Sequence, residues 1–145
     1  MKVTTYAAGA LLAACLAATA VPAAAQTLRW GAQNDILSMD PHSQNHATTN
    51  AILMHAYEGL TRYGATREVE PALATRWTFT TPTQVRFDLR RNVKWHDGTP
   101  FTADDVVFTF KRAAGDGSDM KGYTQAFKTV RKIDDHTVEI ETGAP

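Results

Sequence analysis

The fold is decided by QVRFDLRRNVKWHDGTPFTADDVVFTF, residues 84–110, which holds a strand signal, a turn signal and a helix signal in succession. From Gln84 to Arg90 apolar and polar residues alternate with a period of two, which is typical of a strand with one buried face. The run His96–Pro100 predicts a turn, because Asp tolerates turn geometry and Gly98 permits a positive φ. A helix is then expected with Thr102 as its N-cap and two acidic residues in its first turn, where the helix dipole favours them.

The flanking sequence predicts two hairpins, each with a short polar connection. Arg76–Thr80 precedes the strand at Gln84–Arg90, and Val130–Ile133 precedes a strand at Thr137–Glu141. The helix after Thr102 should present an apolar stripe and end at Gly115. These patterns predict a mixed α/β fold. The other expected elements are a strand at Thr27–Gln33, a loop at Asn34–Asn45, a helix at Thr48–Tyr57 ended by Gly59, a short strand at Leu60–Tyr63 and a polar loop at Asp116–Gly122.

Composition excludes several classes of protein. The chain has 145 residues, with 15 Lys and Arg against 15 Asp and Glu, so it lacks the positive charge expected of a nucleic-acid binder. The first 25 residues predict a secretory signal: Lys2 is followed by an Ala-rich apolar run, Pro22 and a small-residue cleavage site before Gln26. Cleavage there removes Cys15, the single cysteine, and excludes disulfides from the mature chain. The alternative is cleavage at Cys15 within a lipobox-like Leu-Ala-Ala-Cys, which would leave a lipid-anchored protein.

Motifs of enzyme catalysis are missing from the sequence. It contains no Gly-x-Ser-x-Gly elbow and no Gly-x-Gly-x-x-Gly or Walker phosphate loop. The paired carboxylates at Asp104-Asp105 and Asp134-Asp135 are explained by helix capping and by a turn. We therefore predict a non-enzymatic protein that needs no cofactor.

Two further groups of side chains are candidates for binding. Asp40, His42 and His46 are donor types for zinc or nickel, but their spacing matches no standard metal motif, so polar loop residues without a metal are favoured. Tyr123 follows a Gly-containing polar loop and is a candidate for ligand contact, since loops often carry function. The remaining large aromatic residues are expected mostly in the core: Trp30, Trp77, Trp95, Phe79, Phe87, Phe101, Phe108 and Phe110.

Residues 86–110 resemble the family 5 extracellular solute-binding proteins, the periplasmic peptide, oligopeptide and nickel receptors of bacterial ABC importers. The specific pattern is F-x-L-R-x-x-V-x-W-x-D-G-x-P-F-T-A-x-D-V, which runs here from Phe87 to Val106. Further similar segments are Ser38–Pro41, Tyr57–Leu60, Pro71–Ala74 and the hairpin from Ile133 to Glu141.

This resemblance implies a periplasmic receptor with a two-lobed, clamshell-like α/β fold. Residues 26–145 would be the N-terminal portion of its solute-binding domain, made of part of the first lobe and an accessory α/β region, in an incomplete chain. The receptor would close on a small ligand, most simply a dipeptide or oligopeptide, and deliver it to an inner-membrane ABC permease as a monomer. The alternative within the same family is a nickel or metallophore receptor. The ligand contacts implied by the resemblance are Gln44, Asn45, His46, Thr48 and Tyr123.

Overall fold

The computed structural model describes residue 27 and residues 29–144, and its central feature is a hairpin at the predicted place. Strands β3 (Ala74–Thr81) and β4 (Gln84–Leu89) pair antiparallel, with Trp77 opposite Phe87. Val85 and Leu89 are buried and Phe87 is half-buried, so the period-two alternation does place one face on the core. The predicted first hairpin is confirmed.

The second predicted hairpin completes a four-stranded antiparallel sheet. Strands β5 (Phe127–Asp134) and β6 (Thr137–Thr142) pair with each other, and β6 also pairs with β4, giving the order β3-β4-β6-β5. Phe87 lies opposite Val138, and Val85 lies opposite Ile140. Because paired residues share a face, these four apolar side chains form one continuous apolar surface.

Helix α2 (Ala103–Ala113) covers part of this surface. Thr102 is its N-cap, as predicted, and the Asp105 carboxylate accepts the Thr102 backbone N–H at 2.8 Å. Gly98 has a φ of 88° in the turn before it, a conformation that favours glycine. The core where helix and sheet meet is formed by Leu89, Phe101, Ala103, Val106 and Val138.

The opposite face of the sheet is polar. Glu139 lies opposite Arg86 on one side and Arg131 on the other. Its carboxylate accepts a hydrogen bond from Arg86 at 2.9 Å and others from Arg131, although the residue is only 3% exposed. These hydrogen bonds lower the pKa of Glu139, Arg131 contributing most. A buried carboxylate is thus kept charged by two cations.

A smaller part of the fold precedes the four-stranded sheet in the sequence. It contains helix α1 (Ala47–Leu53) and a two-stranded sheet of β1 (Thr61–Tyr63) and β2 (Val69–Pro71). The short strand before Gly64 is confirmed. The helix is shorter than the predicted Thr48–Tyr57. Residues 54–56 form turns, in which the Ala56 N–H donates to Leu53 O at 2.9 Å, and all three residues are exposed. Because these residues are exposed, burial stabilises the last predicted turn little, and the helix does not continue through it.

Three further expectations have different outcomes. The strand predicted at Thr27–Gln33 is wrong for the described residues there, since none of them is paired with another strand and a lone strand leaves its backbone groups unsatisfied. The loop predicted at Asp116–Gly122 runs into a four-residue helix, α3 (Lys121–Thr124). The signal segment and the lipobox at Cys15 lie outside the described residues. None of the helices among residues 27 and 29–144 has the length and apolar character that a membrane crossing requires.

Candidate ligand-binding loop

Residues 34–46, which include the predicted ligand contacts Gln44, Asn45 and His46, form a loop that is ordered first by its own side chains. Ser38 Oγ accepts the Asp40 N–H at 3.0 Å, and Asp40 Oδ1 accepts the His42 N–H at 3.0 Å. Ser43 Oγ donates to Asp40 O at 3.3 Å. Ser and Asp side chains form such local bonds readily, and Pro41 restricts φ between them. The Ser38–Pro41 segment is therefore a compact turn.

Other parts of the fold hold the same loop from outside. Thr49 Oγ1, fully buried in α1, accepts the Leu37 N–H at 3.2 Å. Tyr57 Oη donates to Met39 O at 2.9 Å. The Asp119 N–H, from the segment after α2, donates to His42 O at 3.0 Å. These contacts fix the loop between α1 and the segment that leads to Tyr123.

A forked, charge-assisted contact to the loop comes from Arg112, in the last turn of α2. Its Nη1 and Nη2 donate to Asp40 Oδ1 and Oδ2 at 2.8 and 2.6 Å, and Nη1 also lies 2.9 Å from His42 Nδ1. The hydrogen bond from Arg112 holds the pKa of Asp40 well below its ordinary range. Burial, and then Arg112, lower the pKa of His42, so the neutral imidazole is favoured. Its Nδ1 then accepts from Arg112, since a guanidinium can only donate.

Two of the predicted ligand contacts meet across a long sequence separation. Asn45 Nδ2 donates to Tyr123 Oη at 3.2 Å, and Asn45 Oδ1 accepts from Asn50 Nδ2 at 3.1 Å. Asn45 is exposed, and Tyr123 is 66% exposed. The phenol and the amide therefore form an open polar pair with further hydrogen-bonding capacity.

The other predicted contacts face different surroundings. Gln44 is buried: its Nε2 donates to Asn50 Oδ1 at 3.2 Å, and its Oε1 accepts the His46 N–H at 2.6 Å. Its amide supports the loop internally. His46 is the N-cap of α1, with Nε2 3.3 Å from Asn34 Nδ2 and a buried Nδ1 that has no partner. Thr48 is half-buried in the first turn of α1.

The three candidate metal ligands of the loop do not converge. Both oxygens of Asp40 and the Nδ1 of His42 contact Arg112, whereas His46 contacts Asn34. Within the described part of the chain, no three His, Cys, Asp or Glu side chains are grouped so that they could hold a metal ion.

A groove of about 770 Å³ adjoins the Asp40–Arg112 pair. Two of the aromatic residues that we predicted to lie in the core line this groove and are exposed, so the prediction is wrong for them. Phe108 lines it and is 64% exposed, and Trp95 lines it and is 45% exposed. Trp30 and Phe79, which lies on β3, are exposed as well, whereas Phe101 is buried. Helical and strand periodicity identified which positions are apolar but not which faces another element covers. Arg112 and Asn50 were missed because no local motif marks them.

Comparisons with known proteins agree in the family that they identify. The family model described as bacterial extracellular solute-binding proteins, family 5 middle, matches residues 68–145. The chain is 32% identical to the periplasmic oligopeptide-binding protein OppA of Salmonella typhimurium, over 94% of this chain and 30% of that protein. The chain thus spans less than a third of the length of this relative.

Solved structures share the fold. OppA of Burkholderia pseudomallei matches with a TM-score of 0.73 and 31% identity, over 76% of this chain and 25% of that one. NikZ of Campylobacter jejuni, in complex with Ni(L-His), matches with a TM-score of 0.68 and 27% identity, over 75% of this chain and 22% of that one. These matches confirm the predicted fold class, a mixed α/β part of a periplasmic binding protein.

Proposed function

Because the chain belongs to the family 5 bacterial extracellular solute-binding proteins, we propose that it serves a receptor that binds a small peptide outside the cytoplasm. The receptor delivers the peptide to an ABC permease in the inner membrane and does not alter it chemically. Residues 26–145 form the N-terminal portion of the solute-binding domain. The protein is exported by the segment at residues 1–25, is free rather than anchored at Cys15, and acts as a monomer.

The observation that carries the peptide assignment is the exposed Asn45–Tyr123 pair at the end of an anchored loop. An amide and a phenol each donate and accept hydrogen bonds, which suits the alternating N–H and C=O groups of a peptide backbone. His46 and Thr48 extend the same polar surface along the start of α1. The relative OppA of Salmonella typhimurium is named for binding oligopeptides, which supports the same class of ligand.

The mechanism that we propose is closure of two lobes around the peptide. A ligand shifts such an equilibrium only by its differential affinity for the open and closed forms. The 34–46 loop supplies one side of the cleft in a fixed conformation, so that closure adds contacts without first ordering this loop. The permease then distinguishes the closed form from the open one.

Calorimetric titration of the full-length gene product with tetra-alanine tests this function. We expect saturable 1:1 binding, and about a fivefold weaker affinity for Asn45→Ala or Tyr123→Phe, since one net hydrogen bond contributes about 1 kcal/mol. Tyr63→Phe is the matched control, because Tyr63 is an exposed tyrosine on β1. A wild-type protein that binds no peptide, or full affinity in both site variants, would argue against the proposal.

The second candidate is a nickel-complex receptor, favoured by the match to NikZ with bound Ni(L-His). Against it stands the engagement of Asp40 and His42 by Arg112. Titration with the preformed complex of Ni²⁺ and L-histidine, before and after His46→Ala, separates the two. Heat in the wild type that His46→Ala abolishes supports the nickel receptor, and no heat in either protein disposes of it.

A further inference from the structure

Arg112 lies outside the predicted ligand contacts but contacts two residues of the loop that precedes them, Asp40 and His42. Its guanidinium forms a fork to both Asp40 oxygens and reaches His42 Nδ1 with the same Nη1. Planar two-point pairing of this kind fixes direction as well as distance. The side chains of this pair are separated by 72 positions in the sequence.

The element that carries Arg112 is fixed independently of the loop. Ala103, Val106 and Ala113 of α2 are buried, and Ala113 directly follows Arg112. A cation in the last turn also interacts favourably with the helix dipole. Arg112 therefore projects from a helix whose backbone is held by its own packing against the core.

The two loop residues that Arg112 contacts also organise the backbone around them. Asp40 accepts the His42 N–H, and His42 O accepts the Asp119 N–H. Asp119 lies four positions before Tyr123. Release of Asp40 and His42 would thus loosen both segments that bring Asn45 and Tyr123 within 3.2 Å of each other.

We propose that Arg112 is a positioning residue for ligand binding, which acts through Asp40 and His42 to hold residues 43–48 in the conformation that binds peptide. This inference rests on the proposed function. Arg112 contacts the loop before the predicted ligand residues and not those residues themselves. A loop held in advance binds more tightly, because apparent affinity falls with the fraction of molecules in the competent conformation.

The test compares Arg112→Lys with Arg90→Lys in the full-length protein. Arg90 is a matched control, since it also forms a forked pair with a carboxylate, that of Glu58, and its side chain has the same 43% exposure as Arg112. Lysine keeps the charge but cannot form the fork. Hydrogen exchange of the ligand-free protein reports loop order, tetra-alanine titration reports affinity, and thermal melting reports overall stability.

For Arg112→Lys we expect the fraction of molecules with a competent loop to fall from about nine-tenths to about one-tenth, so that exchange at residues 38–46 rises about ninefold and tetra-alanine affinity falls about ninefold. Arg90→Lys should leave both unchanged at a similar loss of melting temperature. Asp40→Asn, which retains the side-chain shape and lacks the charge, should act in the same direction as Arg112→Lys.

Each other outcome overturns a defined claim. Unchanged exchange in Arg112→Lys, or faster exchange with wild-type affinity, overturns the positioning role alone. Equal loss of affinity in Arg90→Lys also overturns it, because the effect would then follow general stability. A wild-type protein that binds no tetra-alanine overturns the proposed function and the positioning role with it.

Discussion

Two regions of the molecule are stabilised by different interactions. One is the body, formed by α2 and the four-stranded sheet, and the other is the loop at residues 34–46. In the body, apolar side chains from Leu89, Phe101, Val106 and Val138 are buried against one another. In the loop, order comes from hydrogen bonds and from the ion pair of Asp40 with Arg112. Apolar burial tolerates small changes in direction, whereas a forked ion pair does not. The apolar body therefore supplies the support, and the loop supplies directed polar groups.

The largest expected effect separates buried from exposed aromatic residues of the body. Phe101→Ala should lower the free energy of unfolding by about 3–5 kcal/mol, because it removes a side chain that is only 6% exposed and leaves a cavity. The matched variant is Phe108→Ala, at a residue 64% exposed on α2. It should cost less than about 1 kcal/mol. Urea unfolding of the full-length protein measures both values.

Equal losses of unfolding free energy in the two variants would contradict the distinction between a buried Phe101 and an exposed Phe108. They would mean that Phe108 is buried in the full-length protein by a part of it that packs into the 770 Å³ groove. A small loss for Phe101→Ala would instead contradict its place in the core.

The body could be predicted from the sequence because its signals are local. Alternation at residues 84–90 and the cap at Thr102 each lie within a few positions, and both are where the structure has them. Local alternation also predicted a strand at residues 27–33, and this prediction is wrong for the described residues there, because a pattern of side chains does not supply a partner strand. The predicted end of α1 at Tyr57 is wrong, and the helix ends at Leu53, because packing, and not propensity, decides how far a short helix extends.

The loop could be predicted in place but not in its support. The family resemblance implied ligand contacts at Gln44, Asn45, His46, Thr48 and Tyr123, and the structure brings Asn45 and Tyr123 together. Nothing local identifies Arg112 as the partner of Asp40, because the two are 72 positions apart. The same limit hid the role of Gln44, whose amide turns inward to Asn50 instead of outward. Contacts between side chains on separate elements require the assembled fold.

The second prediction concerns Glu139, the point where the body departs from purely apolar burial. Glu139→Gln should lower the free energy of unfolding by about 2 kcal/mol, because it weakens charge-assisted bonds from Arg86 and Arg131 in a buried place. Glu141→Gln, two residues along the same strand and less buried, should have little effect. If the two variants are equally stable in urea, the hydrogen bonds of Glu139 contribute no more to the free energy of unfolding than those of a less buried carboxylate.

The third prediction concerns the start of α2. Asp105→Ala should lower the free energy of unfolding by about 1 kcal/mol, because the Thr102 N–H loses its acceptor. Asp105→Asn, which keeps a side-chain oxygen, should recover most of the loss. Affinity for tetra-alanine should be unchanged in both, since the other end of the helix carries Arg112. A fall in affinity would show that loop and body are coupled along the whole helix.

The smallest expected effect is a pH dependence of the loop that centres on His42. Burial and Arg112 lower its pKa below the ordinary 6.5, while Asp40 opposes this shift. The unfolded chain therefore binds the proton first, so His42 lowers stability progressively as pH falls from about 6.5 and has no such effect at higher pH.

In the folded protein a protonated His42 could no longer accept from Arg112 Nη1, and two cations would then adjoin one carboxylate, that of Asp40. Exchange at residues 38–46, corrected for intrinsic rates, should thus rise at acidic pH before the body opens. His42→Asn keeps an acceptor near the position of Nδ1 and should flatten this dependence, whereas a change at the exposed His55 should preserve it. If exchange in the wild-type protein rises at the same pH in the loop and in the body, the loop does not open independently of the body.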